Sequence, residues 1–321
     1  MKNRASILTI CLILLFQASC TPMQSPPTPT PQPSPTSQPE VSFHIVAYAT
    51  EAITPELIPY DKLTHINYSF LIPNADGTFV RLTNAWKLKK IVELARSQNV
   101  TVGIAVGGWG WDEQFEQMAA SAESRTAFVQ NLKAFVEEYQ LDGVDMDWEY
   151  PDPGQSSLNY VALMTELRAA LPNAIISTAV ISYGDEYGLG IPTESFDLVD
   201  FVNVMTYDGH DHGTMEQFEK GLNYWSSRGV SKEKLIIGVP FYGRPGPAPY
   251  SRLVTTDPAA AQTDTFDYFG TIQNYNGIPT IQKKTEITMQ RAGGIMFWEL
   301  SLDAQGELSL VNAIFEVVSN K

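Results

Sequence analysis

A single (β/α)8 barrel is the fold predicted for residues 41–321, and three features of the sequence predict it. Eight short runs rich in apolar and β-branched residues alternate with longer stretches of helical periodicity, the pattern of βα units on a parallel sheet. The span is about 280 residues, near the usual size of one such barrel. Aromatic, acidic and amide groups gather where the runs end, and the C-terminal strand ends of a parallel barrel are where function collects. The class is α/β, without a sizeable insertion domain between strands seven and eight. The segment 243–293 must also hold the seventh helix, and much of the remainder is Pro, Ala, Thr and Asp.

The strands are expected at 43–48, 64–70, 100–107, 143–148, 175–181, 201–207, 235–241 and 294–298. Helices are expected at 86–97, 124–139, 158–171, 215–226, 281–291 and 308–318. The first places Leu88, Ile91, Val92 and Ala95 on one stripe, and the second does the same with Phe128, Leu132, Phe135 and Val136. Trp86 and Trp225 fall on helices and are expected in the core. The first and fifth crossovers look poor in helix.

Residues 1–20 read as a signal peptide of lipoprotein type. Lys2 and Arg4 give a positive start, and 7–16 is an apolar run too short for a membrane-spanning helix. Ala18-Ser19-Cys20 resembles a bacterial lipoprotein cleavage site, with Gln17 where such boxes usually carry Leu, so Cys20 is the expected lipidation site. An ordinary signal peptide cut nearby and an uncleaved anchor are the other readings. All three place the rest of the chain outside the cytoplasm, either tethered at the cell surface or secreted. Residues 21–40 are a Pro/Thr/Ser-rich linker with too few apolar groups to offset the entropy of ordering.

Cys11 and Cys20 are the only cysteines, so the domain beyond them has no disulfide and no thiol chemistry. No cofactor is expected. The formal net charge is −15 and no basic cluster exists, which argues against nucleic acid as a partner. A monomer is expected, touching membrane only through its N-terminal lipid.

Residues 141–151, LDGVDMDWEYP, carry the chemistry. In a strand, Asp145, Asp147 and Glu149 share one face and Val144, Met146 and Trp148 the other. An acid row opposite an apolar face fits an enclosed site. Close carboxylates raise one another's pKa, so one should hold a proton near neutral pH, as a general acid must. Asp142 lies off that face and is read as structural. A calcium loop would want Gly, Asn and Asp between the acids, not Val, Met and Trp.

The other strand ends add Tyr48, Phe70, Gly107-Gly108-Trp109, Met205-Thr206-Tyr207-Asp208, Tyr242-Gly243-Arg244 and Trp298-Glu299. Tyr48 and Phe70 either line a site or fill the barrel. Trp109 and Trp111 sit in a Gly-rich loop that cannot bury both, so at least one is expected to be exposed for stacking. No metal is expected; His210 and His212, flanking Asp211, are the one alternative. Asp185 and Glu186 read as a solvated loop.

The acid row resembles the DxxDxDxE signature of glycoside hydrolase family 18, the chitinase family, with its trailing Trp-Glu-Tyr-Pro. Ala105-Val106-Gly107-Gly108 sits where that family has SxGG, with Ala105 in place of Ser, which removes one hydrogen bond to the acid row. Met205-Thr206-Tyr207-Asp208 matches its MxYD segment, followed by Gly209 where many members carry a larger residue. Trp298 matches the tryptophan that floors the site. The resemblance runs over 43–310.

It implies hydrolysis of β-1,4 bonds between N-acetylglucosamine units, with the sugar's own 2-acetamido oxygen as nucleophile and retention at the anomeric carbon. Glu149 would be acid then base, Asp147 would accept the acetamide N–H, Tyr207 would hold the acetamide oxygen, and Asp145 would share a proton or hydrogen bond with Asp147. Tyr48, Phe70, Gly108, Trp109 and Met205 would bind substrate, with Asp208, Tyr242, Arg244 and Trp298. The partner would be a polysaccharide or glycan containing N-acetylglucosamine. An endo-β-N-acetylglucosaminidase on N-glycans and a hydrolase of peptidoglycan fragments need the same row. A non-catalytic lectin is disfavoured by the presence of Glu149. Without the small domain that many larger relatives insert after strand seven, the cleft should be shallow and open.

Overall fold

A computed structural model describes residues 43–320. The expected signal peptide, the lipidation at Cys20 and the linker lie outside the described residues. Eight parallel strands close into a barrel in which each pairs with its neighbours in sequence and the eighth pairs with the first. They run His44–Thr50, His65–Leu71, Thr101–Gly107, Gly143–Asp147, Ile175–Ile181, Phe201–Met205, Leu235–Pro240 and Gly294–Trp298. This is the (β/α)8 barrel that the sequence predicts.

The core has two parts because each strand has two faces. Outward-facing side chains pack under the helices. Val144, Met146 and Trp148 of the fourth strand and its end belong to this layer, as the alternation requires. Trp148 stacks on Phe115 with ring centroids 5.2 Å apart, and its indole N–H donates to Asp112 Oδ1 at 2.7 Å. Truncating such a buried tryptophan typically costs about 3–5 kcal/mol. Inward-facing side chains form a second cluster that includes Val46, Tyr48, Ala105, Ala179, Ile236 and Met296. The acid row faces this interior.

Helices Ala85–Arg96, Ala122–Tyr139, Gln155–Ala170, Met215–Ser227, Ile278–Arg291 and Leu310–Ser319 stand where helices are expected. The first and fifth crossovers carry only 3-10 turns and one short turn of helix, at Asp185–Gly188. A helix at Asp112–Ala120 was not foreseen. It buries only Phe115, Met118 and Ala119, and Asp112 and Glu113 complement the dipole of its first turn. Ser121 then caps the next helix, accepting from the Ser124 N–H at 3.1 Å.

Trp225 is fully buried, but Trp86 is 59% exposed. The stripe of its helix runs through residues 88, 91, 92 and 95. Three and four residues on from Trp86 stand Lys89 and Lys90, so the same periodicity puts Trp86 on the polar face. Between strands seven and eight no sizeable domain is present. Two small two-stranded ribbons (Tyr242–Gly243 with Ala248–Pro249, and Thr265–Tyr268 with Thr271–Asn274) flank the short helix Tyr250–Thr256. A bridge between Arg244 and Asn274 ties the ribbons together. Among the described residues, no helix is long and apolar enough to cross a membrane.

Candidate active site

The C-terminal ends of the strands surround a cavity of about 1500 Å³. Strand four brings the acid row up its axis. Asp145 is fully buried and accepts three hydrogen bonds, from the Tyr48 hydroxyl at 2.7 Å, the Ser177 hydroxyl at 2.6 Å and the Asn203 amide at 3.0 Å. Burial raises its pKa, and these three donors oppose the rise.

Asp147 lies one step nearer the mouth, on the cavity wall and 3% exposed. Its Oδ1 has no hydrogen-bond partner among the described residues. Burial raises its pKa well above the usual carboxylate range, helped by the charges of Glu149 and Asp145. The hydrogen bond expected between Asp145 and Asp147 is not formed. Donors from strands one, five and six already engage both oxygens of Asp145.

Glu149 stands at the strand tip, half-buried on the wall. Burial lifts its pKa to about 7 against a downward pull from the Tyr150 hydroxyl, and the charge of Asp208 adds to the lift. Burial is thus the first cause of the raised pKa at all three acids, and the mutual repulsion read from their spacing acts only on Asp147.

The opposite wall comes from strands six and seven. Met205 and Tyr207 are both 8% exposed and line the cavity. The Tyr207 hydroxyl is 3.8 Å from Met296 Sδ, and burial keeps it a neutral phenol. Arg244 donates to Asp208 Oδ1 through Nε at 2.9 Å and Nη2 at 2.6 Å. Its guanidinium lies 5.5 Å from the centre of the Tyr242 ring.

The loop between these residues is braced from behind. The Asp208 N–H donates to His212 Nδ1 at 2.9 Å, which leaves Nε2 as the donor to the Tyr242 carbonyl at 3.1 Å. His212 is thus a buried strut. His210 is exposed on the cavity rim, and among the described residues no group of three or more His, Cys, Asp or Glu could hold a metal ion. The Gln217 amide donates to the carbonyls of Tyr207 at 3.2 Å and Asp208 at 2.8 Å.

Aromatic rings floor and rim the cavity. Phe70 stacks on Trp298 with centroids 5.3 Å apart and planes 21° from parallel, and Tyr48 tilts against Trp298 at 5.6 Å. Tyr48 both lines the cavity and holds Asp145. Trp109 is 78% exposed on the rim, while Trp111 lies off the wall at the start of the helix Asp112–Ala120.

Gly108 is the one expected substrate contact that is not on the wall. Its N–H donates to the Asp147 carbonyl at 2.8 Å, and a Cβ there would come within 2.7 Å of the Phe70 ring. With φ near +90° and that ring against it, the position requires glycine for backbone reasons. Asp142 accepts from the Val102 N–H at 2.8 Å, a structural role as read.

Sequence reasoning missed Ser177, Asn203, Tyr150, Tyr183 and Gln217. Ser177 and Asn203 left a signal, being polar residues at inward positions of apolar strands. Tyr150 and Tyr183 stand just past strands four and five, where the mouth lies, and Gln217 left none.

The family described as glycosyl hydrolases family 18 matches residues 44–303. Chitinase 1 of Aphanocladium album is 28% identical over 240 residues, which is 59% of this chain. The chain spans 57% of that relative's length. Among solved structures, the chitinase ChiB from the chitin utilization locus of Flavobacterium johnsoniae superposes with a TM-score of 0.77 at 29% identity, covering 87% of this chain and 94% of that one. A chitinase from Bacteroides thetaiotaomicron superposes with a TM-score of 0.78 at 26% identity, covering 87% and 97%. A match over most of the folded domain, together with an acid row set in a closed barrel, places this chain in glycosyl hydrolases family 18.

Proposed function

We propose that this chain hydrolyses β-1,4 bonds between N-acetylglucosamine units of chitin or its oligomers, using the substrate's own acetamide as nucleophile. The observation that carries the reading is Asp147 Oδ1, a buried acceptor with no partner, on the cavity wall beside a carboxyl poised near pH 7. An unsatisfied buried acceptor costs about 1–3 kcal/mol, more when charged, so the site favours a ligand that brings a donor. An acetamide N–H is such a donor. Its oxygen, turned toward the anomeric carbon, would be held in line by the Tyr207 hydroxyl.

Glu149 would then protonate the leaving oxygen and later take a proton from water. Attack by the acetamide oxygen breaks the glycosidic bond and forms a cyclic oxazolinium ion, and water opens it with net retention. Asp147 offsets the positive charge of that ion. Asp145, fixed by its three donors, holds negative charge below Asp147 and limits how far it ionises. Phe70, Trp298 and Trp109 would stack on sugar faces, while Asp208, Arg244 and Tyr242 bind polar groups at the next position along the polymer. With only small ribbons after strand seven, a short, non-processive mode is the one expected. Tethering outside the cytoplasm through a lipid on Cys20, and action as a monomer, complete the proposal.

The test is parallel incubation with chitin oligomers, a high-mannose glycoprotein and peptidoglycan, with products read by mass and the first anomer read by NMR. The reading expects cleavage of chitin oligomers to the retained anomer. Cleavage of the glycoprotein alone would make the chain an endo-β-N-acetylglucosaminidase. Binding without cleavage would make it a lectin. Metabolic labelling with a fatty acid, lost in Cys20→Ala, tests the anchor.

A further inference from the structure

The cavity pair Asp208–Arg244 is held by a residue that does not itself line the cavity. His212 is buried behind it. Its Nδ1 accepts the Asp208 N–H at 2.9 Å and lies 3.8 Å from Asp208 Oδ1, the oxygen that takes both hydrogen bonds of Arg244. Its Nε2 is 3.1 Å from the Tyr242 carbonyl. One ring thus joins the loop after strand six to the chain leaving strand seven. That loop needs the brace. Asp208 has φ +61°, a left-handed backbone that a non-glycine residue keeps only where its surroundings fix it. Gly209 follows, also left-handed, and brings no side chain to pack. Among the described residues, two side chains pin the backbone of Asp208, His212 on its N–H and Gln217 on its carbonyl. Gln217 keeps its donors and acceptors at every pH, and His212 does not.

An N–H donor needs a lone pair opposite it, so Nδ1 is bare and the proton of the neutral ring sits on Nε2. Protonation puts an N–H on both nitrogens. The new Nδ1–H then meets the Asp208 N–H, donor against donor, and the acceptor beside it is Asp208 Oδ1. A shift of about 1 Å brings that oxygen from 3.8 Å to the length of a charge-assisted hydrogen bond. The imidazolium and Arg244 then compete for one oxygen. Burial lowers the pKa of His212; the Tyr242 carbonyl and Asp208 pull it up, and Arg244 and Lys284 push it down. The Tyr242 ring packs against it at 4.9 Å, while Asp211 accepts from the Tyr183 hydroxyl at 2.7 Å. Lys284 and Glu149 change charge near pH 7, so both already hold their protons in acid and stay constant there.

We propose that His212 is the positioning residue of the Asp208–Arg244 pair and releases that pair in acid: neutral, it fixes Asp208 beneath Arg244; protonated, it draws Asp208 Oδ1 to itself. This rests on the reading of Asp208 and Arg244 as substrate contacts. The loss therefore falls on substrate binding and not on the chemical step, which belongs to strand four.

Two measurements test it. The first is NMR of the isotope-labelled parent protein and needs no substrate. The ring nitrogens of His212 should show the Nε2–H tautomer at pH 7, and the Nε–H signal of Arg244 should shift with the same midpoint as the His212 ring as pH is lowered. An Nδ1–H tautomer at pH 7, or an Arg244 signal indifferent to the His212 titration, overturns the proposal. The second is KM and kcat on a chitin oligomer from pH 7 down to pH 4, in the parent and in His212→Asn. The asparagine amide can offer an oxygen near the place of Nδ1 and gains no charge. In the parent, KM should rise about three- to tenfold, the net worth of one or two hydrogen bonds. In His212→Asn, KM should start higher, because the bond to Tyr242 is lost, and then stay level, while kcat follows one profile in both. Parallel KM profiles overturn the proposal. If no oligomer is cleaved, the hydrolytic reading fails and the NMR result alone decides the role of His212.

Discussion

The Ser177 hydroxyl donates to Asp145 Oδ1 across 2.6 Å from the strand on one side, while Ala105 faces Asp145 from the strand on the other. The hydrogen bond that Ala105 cannot make is supplied from strand five. Both residues are level with Asp145 in register, so either could carry the hydroxyl. Removing a donor to a buried carboxyl costs about 1–3 kcal/mol. Ser177→Ala should lower stability by that amount and cut kcat about tenfold by freeing Asp145 to move toward Asp147. Adding Ala105→Ser to that variant should recover most of the activity. Denaturation curves and kcat on a chitin oligomer check both, and a double variant no better than Ser177→Ala would refute the exchange.

The pKa of Glu149 sets the alkaline limit of activity. A general acid must enter the reaction protonated. Burial first, opposed by the Tyr150 hydroxyl and aided by the charge of Asp208, puts that limit near pH 7. kcat/KM should thus fall as pH rises through about 7. Asp208→Asn removes a repelling charge, so it should move that limb to lower pH while weakening the hold on Arg244. Glu149→Gln should bind oligomers but lose at least about 10²-fold in kcat. An unchanged alkaline limb in Asp208→Asn would show that another group sets it.

The barrel was legible because its strands are short, mostly apolar runs and each ends in punctuation that a parallel sheet requires. The acid row was legible because three acids two apart, with Val, Met and Trp between, have no cheaper arrangement than an enclosed strand. The ribbons after strand seven were not. Their strands run two to four residues, and Thr265–Tyr268 shows no buried face strong enough to announce itself. The helix Asp112–Ala120 was hidden by the glycines before it and by its length of nine residues. The missing bond between Asp145 and Asp147 could not have been foreseen from strand four. It depends on Tyr48, Ser177 and Asn203, which three other strands bring to the same level.

Lys284 anchors the loop that carries Asp208. It is fully buried, and its ammonium donates to the Gly213 carbonyl at 2.6 Å and to Asn276 Oδ1 at 2.7 Å, while Asn276 Nδ2 donates to the same carbonyl at 2.7 Å. Burial lowers its pKa from 10.5 to about 7, with Asp264 pulling the other way. The folded state thus binds fewer protons than the unfolded chain between those values, and this group's contribution to stability rises with pH across that window. Lys284→Met should lack that rise, measured as the difference between the two proteins in denaturation at pH 7 and pH 9. It should also raise KM severalfold more than it lowers kcat, because the loop and not the acid row loses its support. Equal pH slopes for the two proteins would contradict the assignment.

The other end of the barrel predicts where the fold fails in acid. His44 and His65 meet edge to face at 5.0 Å, and both pack against Phe201, at 4.7 Å and 5.2 Å. Both sit among apolar rings where neither can be charged cheaply. Burial, then the nearness of His44, drives the pKa of His65 down to about 3. Burial lowers that of His44 as well. A base whose folded pKa is depressed leaves the unfolded chain binding more protons. Its stabilising contribution is complete above the ordinary histidine value of 6.5 and is lost as pH falls from there toward 3. For His65 the total is on the order of a few kcal/mol. Thr64 Oγ1 lies 2.8 Å from His65 Nδ1, so asparagine, whose amide reaches a similar point, is the conservative replacement. His65→Asn should be less stable than the parent at pH 7 through lost packing, yet lose less stability between pH 7 and pH 4. Urea denaturation of the two proteins across that range reads the difference in slope, and parallel curves would exclude His65 as the acid-sensitive group.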